Sequence, residues 1–327
     1  MNLETNLLAL KRILDQELPF IEQALLANIK SLPPSIYEVA LHVLKAGGKR
    51  LRPFLTILFA KILGYTQKDV YDLAAAMEIF HSATLIHDDV LDNSSLRRGQ
   101  KASHLTFGTT KAILAGDGLL ALGNSIVASF GQPVLTQVVS KAILNTAYGE
   151  IREIEVSGQP ISQDFYLEII TGKTAYLIAA ACQCGAILAN YDQQSQEAAY
   201  TYGLNLGIAF QLVDDALDYS PPSSAMGKPQ GQDLKEGKIT LPFLLYLETL
   251  SPKQKEQILN KTAKQDLSEA EVQKILADIQ DKGLEQKVKK MAQKYLDVAQ
   301  NALSHLPQHP LLDTLKIVLR YVAQREN

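Results

Sequence analysis

The chain is short of cysteine, glycine, proline and net charge, and it has no long apolar run. Two cysteines in 327 residues exclude a disulfide-stapled scaffold. Glycine and proline together make 32 of 327 residues, below the roughly 12% of an average protein. With so few breakers, long uninterrupted helices are expected. Lysine and arginine number 32 against 35 acids, a net charge of −3. That balance excludes a chain held to nucleic acid by bulk charge, and no nucleic-acid partner is expected. No stretch reaches the roughly 18 apolar residues of a membrane span; the richest, Tyr176 to Ala189, is broken by Gln183. The opening Met1-Asn2-Leu3-Glu4 carries acid early and lacks a basic stretch followed by an apolar one. A secretory signal is therefore not expected, and a cytoplasmic location is.

What is present can fill a core: 46% of residues are hydrophobic and 20% charged. Apolar residues recur at steps of three and four in Leu7, Leu10, Leu14, Leu18, Ile21 and in Leu73, Met77, Phe80, Thr84, Leu85. Leu312, Leu315, Leu319 and Val322 repeat the pattern near the C-terminus. Alternation of the strand type is missing, so the fold class is all-α. No linker divides residues 1–327, which are taken as one domain. Breaks fall at Ser31-Leu-Pro-Pro-Ser, Gly47-Gly48 and Ser157-Gly-Gln-Pro160. The most conspicuous spans residues 220–237, SPPSSAMGKPQGQDLKEG, long enough to be a functional flap. Residues 250–327 are more charged and suggest a helical hairpin with polar outer faces.

The chemistry centres on His87-Asp-Asp-Val-Leu-Asp92. On a helix Asp88 and Asp92 are i, i+4, so both carboxylates leave one face, with Asp89 about 100° away. Two such carboxylates repel one another and raise each other's pKa, a cost that a cation between them removes. Oxygen-only ligands in an open arrangement suit Mg²⁺, which keeps waters and shares itself with phosphates. Phe210-Gln-Leu-Val-Asp-Asp-Ala-Leu-Asp218 repeats the motif, and both copies lie in apolar surroundings where carboxylates need pairing or metal.

Basic residues supply the complement. Gly47-Gly-Lys-Arg-Leu-Arg-Pro53 places three positive charges beside two glycines, where a backbone can approach an anion. Arg97-Arg98, Lys173-Thr174, Lys228 and Lys238 follow. Arginine forks grip phosphate bidentately and lysine acts as a point charge. Two carboxylate pairs with more bases than one phosphate needs suggest a metal-bridged diphosphate in one subsite and a metal-free diphosphate in another.

GGKRLRP, HSATLIHDDVLDNSSLRRGQ, GKTA, FQLVDDALD and GKPQGQDLKEGKIT occur in the order found in trans-isoprenyl (polyprenyl) diphosphate synthases. The chain resembles that family over roughly residues 45–245, and its final Tyr-Val-Ala-Gln-Arg325 resembles the family's C-terminal segment. The resemblance implies an all-α bundle around a deep central cavity, a homodimer, and a product that calls for peripheral membrane contact on release. It implies three Mg²⁺ on the allylic diphosphate, ligated by Asp88, Asp92 and Asp214 and supported through waters by Asp89, Asp215 and Asp218. Arg97, Lys173, Lys228 and Lys238 would hold the allylic diphosphate. Lys49, Arg52, His81 and Arg98 would hold isopentenyl diphosphate. Thr174 and Gln211 would turn oxygen dipoles toward a developing carbocation. His87 has no such role and is read as structural.

Ala83 and Thr84, one turn before Asp88, would set product length. Bulky aromatics there cap the family's products at farnesyl length, so these two imply geranylgeranyl or longer, with hexa- to octaprenyl expected. The sequence departs from the family at Gly118, where Tyr or Phe is usual, and at Glu153, where Gln is usual. Glu153 could pair with Arg152 or Lys173, or alter the metal environment. Cys182 and Cys184 are read as small core residues. Two rival readings are a class I terpene cyclase and a non-catalytic subunit of a heteromeric synthase. A cyclase usually carries a different second motif, and such subunits typically lose one of the aspartate motifs.

Overall fold

A computed structural model describes residues 3–156, 158–221 and 230–325. Ser157 and residues 222–229 of the expected flap, Lys228 among them, lie outside the described residues. The helices are α1 (Leu3–Ile29), α2 (Pro34–Lys45), α3 (Leu51–Ile62), α4 (Val70–Leu91), α5 (Ser103–Phe107) and α6 (Thr109–Ser129). There follow α7 (Pro133–Glu155), α8 (Gln163–Ile170), a π turn (Thr171–Ala175), α9 (Tyr176–Leu188) and α10 (Gln193–Asp218). The rest are α11 (Gln232–Lys235), α12 (Leu241–Glu248), α13 (Pro252–Ala263), α14 (Glu269–Asp281), α15 (Leu284–Ala302) and α16 (Leu311–Ala323). The all-α reading holds. Contacts group the chain into two compact units: residues 1–143, 177–200 and 305–315, and residues 144–176, 201–304 and 316–327.

The first unit is organised on α4. Leu73, Met77, Phe80 and Ala83 are fully buried, each larger side chain contributing about 1.5–3 kcal/mol by leaving water. α6, α3 and α1 pack around this helix. Gly118 on α6 faces Ile36 of α2, and a Cβ there would meet Ile36 Cδ1 at 2.9 Å. The departure at 118 is therefore met by packing, and a larger side chain there would have to displace the Ile36 side chain. Cys182 and Cys184 are fully buried, and burial pushes both thiols up, as expected of core residues.

One short antiparallel hairpin interrupts the helices, pairing Leu96 with Lys101 and Arg97 with Gln100. Its turn residues, Arg98 (φ 51°) and Gly99 (φ 78°), both have positive φ, as a two-residue type I′ turn requires. The turn thus fixes where Arg97 and Arg98 leave the chain.

In the second unit α12 is buried along Leu241–Leu247 and meets α8, α14 and α15. The segment after residue 250 holds more than the expected hairpin: α13, α14, α15 and α16. Ser251 and Ser268 open α13 and α14 with capping boxes to Gln254 and Glu271, which satisfy helix-end N–H groups. The 220–237 break is not all loop either, because α11 occupies 232–235.

Two helices, Thr109–Ser129 and the run Gln163–Leu188, are long and apolar enough by composition to cross a membrane. In the second, 61% of the apolar window is buried inside the protein, as in a core helix.

Candidate active site

In the first unit α4 carries the first aspartate motif at its C-terminal end. Asp88 is half-buried and Asp92, the C-cap, is exposed. The carbonyl end of the helix adds negative potential to the two carboxylates, which favours a cation. Asp89 leaves by the other face. It is buried, and Arg97 donates to its Oδ1 through Nε at 2.7 Å and through Nη2. His87 Nε2 lies 3.1 Å from the Ile113 carbonyl, the structural role expected.

Two turns earlier on α4, His81 shares a positive pocket with Arg52 and Arg98. Burial lowers the His81 pKa well below its ordinary value, and Arg52, Arg98, Arg97 and Arg50 lower it further. These effects favour the neutral ring. Burial pushes Arg52 down to about 10, against the opposing pull of Glu78, so it stays charged. Arg52 Nε is buried with no hydrogen-bond partner among the described residues. A buried guanidinium N–H is a strong donor suited to the oxygen of an anion. Lys49 is exposed on the loop before α3. Ala83 is fully buried, and Thr84 Oγ1 donates to the His81 carbonyl at 2.9 Å.

In the second unit the GKTA segment forms the π turn, a geometry common at functional sites. Gly149 of α7 and Gly172 pack backbone to backbone: a Cβ at Gly149 would lie 2.8 Å from Lys173 N. This contact delivers Lys173 Nζ to Glu150 at 2.9 Å and to Glu153. Burial lowers the Lys173 pKa, but the two carboxylates outweigh it and hold it above its ordinary value. Of the readings open for Glu153, the pair with Lys173 is the one formed. Arg152 turns to Glu168 at 3.6 Å and lies 3.9 Å over the Phe165 ring.

The adjacent Thr174 Oγ1 donates to Gln211 Oε1 at 2.9 Å, and Gln211 Nε2 donates to Asp215 Oδ1 at 2.7 Å. Tyr166 donates its hydroxyl to the other Asp215 oxygen. Asp214 is half-exposed and accepts from Arg325 Nη2 at 2.9 Å, while the Arg325 guanidinium sits 4.6 Å over Phe210. Asp218 caps α11, accepting from the backbone N–H groups of Gln232 at 3.2 Å and Asp233 at 3.0 Å. Lys238 pairs with Glu236 at 2.8 Å. Sequence reasoning missed Glu78, Glu150, Tyr166 and Asp233. A lone acid inside Ala74-Ala-Ala-Met-Glu78-Ile-Phe was the legible signal for the first.

Burial, against the hydrogen bonds of Tyr166 and Gln211, raises Asp215 to about 7. It also raises Asp218 and Asp233. A carboxyl whose folded value exceeds its unfolded one, about 4, takes up a proton on folding. Its contribution is complete below about pH 4 and is lost as pH rises toward 7. In chelator the melting temperature is expected to fall between pH 5 and pH 8, with Asp215→Asn flattening the slope. Added Mg²⁺ should restore more at pH 8 than at pH 5. A melting temperature that rises over this range, unaltered by Asp215→Asn, would contradict the placement of these acids.

Among the described residues no three His, Cys, Asp or Glu side chains converge into a protein cage for a metal. The Asp88 and Asp92 carboxylates at the end of α4 match the way Mg²⁺ binds through one or two carboxylates plus substrate phosphates.

The family model described as polyprenyl synthetase matches residues 33–279. The octaprenyl diphosphate synthase of Escherichia coli (strain K12) is 32% identical, covering 98% of this chain and 99% of that protein. Heptaprenyl diphosphate synthase component 2 of Geobacillus stearothermophilus is 33% identical, covering 97% of this chain and 98% of its own length. A polyprenyl synthase from Caulobacter crescentus, solved with calcium and isoprenyl diphosphate, superposes with a TM-score of 0.90 at 35% identity, over 97% of each chain.

Proposed function

This chain belongs to the polyprenyl synthetase family and is a trans-polyprenyl diphosphate synthase, and from that premise we propose how its residues divide the work. It joins isopentenyl diphosphate to an allylic prenyl diphosphate by ionisation, condensation and elimination, giving an all-trans product of geranylgeranyl length or longer, with hexa- to octaprenyl expected. The observation that carries this reading lies on α4. One helix presents a carboxylate pair, Asp88 and Asp92, and two turns away His81 in a positive pocket with a hydrogen-bond-hungry Arg52. Such a pairing suits two diphosphates handled differently, one through metal and one directly.

Asp88, Asp92 and Asp214 would hold three Mg²⁺, with Asp89, Asp215 and Asp218 in support. When bound, these ions neutralise the charge that grows on the departing diphosphate. Arg97, Lys173, Lys228 and Lys238 grip that allylic diphosphate. Arg97 and Lys173 enter the exchange already paired, with Asp89 and with Glu150 and Glu153, so diphosphate replaces or joins carboxylate partners rather than water. Lys49, Arg52, neutral His81 and Arg98 orient isopentenyl diphosphate. The Thr174 and Gln211 oxygens face the allylic cation. The double-bond electrons of isopentenyl diphosphate form the new carbon–carbon bond, and a proton passes to the released diphosphate. Water must be kept from the cation, which it would otherwise quench.

A homodimer is supported by Leu144, Tyr148 and Ile151 on α7. They are exposed at i, i+4, i+7 and form an apolar stripe of the kind that marks interfaces. The enzyme acts in the cytoplasm with peripheral membrane contact as product leaves. The deciding experiment gives purified chain labelled isopentenyl diphosphate with each allylic primer and separates products by length. Prenyl diphosphates longer than farnesyl are expected from the chain alone. Hydrocarbon from the allylic substrate alone would indicate a cyclase, and no turnover without a second protein would indicate a heteromeric component.

A further inference from the structure

Of the three bases in Gly47–Pro53, Arg50 is turned into the protein. It is 3% exposed and adopts a left-handed backbone (φ 47°, ψ 35°) as the cap of α3, a conformation unfavourable for a residue with a Cβ. Its guanidinium is held on three sides. Nε donates to Glu22 Oε1 at 2.7 Å, Nη1 to Glu78 Oε1 at 2.9 Å and Nη2 to the Leu44 carbonyl at 2.9 Å. Glu78 is buried on α4, one turn before His81, and its charge also acts on Arg52 and Arg98. The loop that Arg50 terminates touches Arg98 directly: a Cβ at Gly48 would lie 2.6 Å from Arg98 Nη1. Lys49 and Arg52 flank Arg50 in sequence.

We propose that Glu78, with Glu22, is a positioning residue for the isopentenyl-diphosphate site: it locks Arg50 in the left-handed conformation that sets Lys49, Arg52 and Arg98 for a metal-free diphosphate. This rests on the reading given under Proposed function. The acid would raise the affinity of a site for an anion it never touches. Its charge keeps the cluster of Arg50, Arg52 and Arg98 in place, and its hydrogen bond fixes the loop. A carboxylate so close to an anion site would otherwise repel the ligand, so engagement with Arg50 is what makes its presence tolerable.

The test measures isopentenyl diphosphate binding by calorimetry without metal, beside steady-state kinetics, for Glu78→Gln, Glu78→Asp and Glu22→Gln. Glu78→Gln is expected to weaken isopentenyl diphosphate binding and raise its KM at least about tenfold. The KM for the allylic substrate in Mg²⁺ should stay within about twofold, and Glu78→Asp should recover most of the loss. Glu22→Gln, at the half-exposed end of the clamp, should give a shift of about threefold in the same parameter. It serves as the decisive variant if Glu78→Gln does not fold by circular dichroism. Equal shifts in both KM values, or unchanged isopentenyl diphosphate binding in a folded variant, would overturn the proposal. Failure of the wild-type chain to bind isopentenyl diphosphate would instead overturn the functional reading beneath it.

Discussion

Asp214→Ala is expected to lower kcat at least about a thousandfold, with Asp88→Ala close behind. Opposite unit charges about 4 Å apart attract by roughly 4 kcal/mol at an effective dielectric near 20, and each 1.36 kcal/mol is about a factor of ten in rate. Losing one such interaction on the leaving diphosphate therefore costs about three decades. Asp214 has a second partner, Arg325, whose side chain is only 7% exposed. Removing the carboxylate takes one charge partner from the guanidinium over Phe210, so some loss of stability accompanies the loss of rate. Asp214→Asn separates the two effects, because it keeps the shape and an acceptor for Arg325 but not the charge. Its melting temperature should lie nearer wild type than that of Asp214→Ala, while kcat stays low. Calorimetric titration of Mg²⁺ in the presence of a non-ionisable allylic analogue should lose a binding event in both variants. A kcat within tenfold of wild type for Asp214→Ala would remove this carboxylate from the metal site.

Ala83→Phe is expected to change the identity of the product. Ala83 is fully buried five residues before Asp88, so a benzyl side chain must take space from something. If that space carries the growing prenyl chain, the ring closes it and products shorten toward farnesyl length, with a small cost in stability. If it is packed protein, overfilling costs about 1–3 kcal/mol, the melting temperature falls and the product distribution stays as it was. Reverse-phase separation of dephosphorylated products, read beside thermal melting, distinguishes the two. Long products from an Ala83→Phe enzyme of lowered melting temperature would move the chain's path away from α4.

The aspartate helices were readable because their spacing is local. A period of 3.6 and an i, i+4 carboxylate pair need only a dozen residues of context, and α4 and α10 carry both motifs where the pattern put them. The Leu312, Leu315, Leu319 and Val322 stripe is buried as the spacing implied. What escaped was non-local or unpatterned. Arg50 looks like a third phosphate ligand until Glu22 and Glu78, each 28 residues away in sequence, are brought to it. The Arg98-Gly99 turn lacks the Asn-Gly or Asp-Gly signature that announces a hairpin. The two serine capping boxes near residues 251 and 268 were legible by motif, and counting them would have divided the tail into its separate helices.

The π turn at Thr171–Ala175 makes this part of the protein sensitive to counting rather than to chemistry. Each residue of an α-helix advances the direction of its side chain by about 100°, and a π turn accommodates one residue more than an α-turn would. Consecutive residues Lys173 and Thr174 thereby reach two different partners, Glu150 and Glu153 on α7 and Gln211 on α10. Many substitutions nearby would leave that divergence standing. Deleting a single residue, even one with no polar atom in its side chain, would restore a regular helix and swing one of the two off its partner. Along this stretch chain length is itself under constraint, and a gap would do more harm than a mismatch.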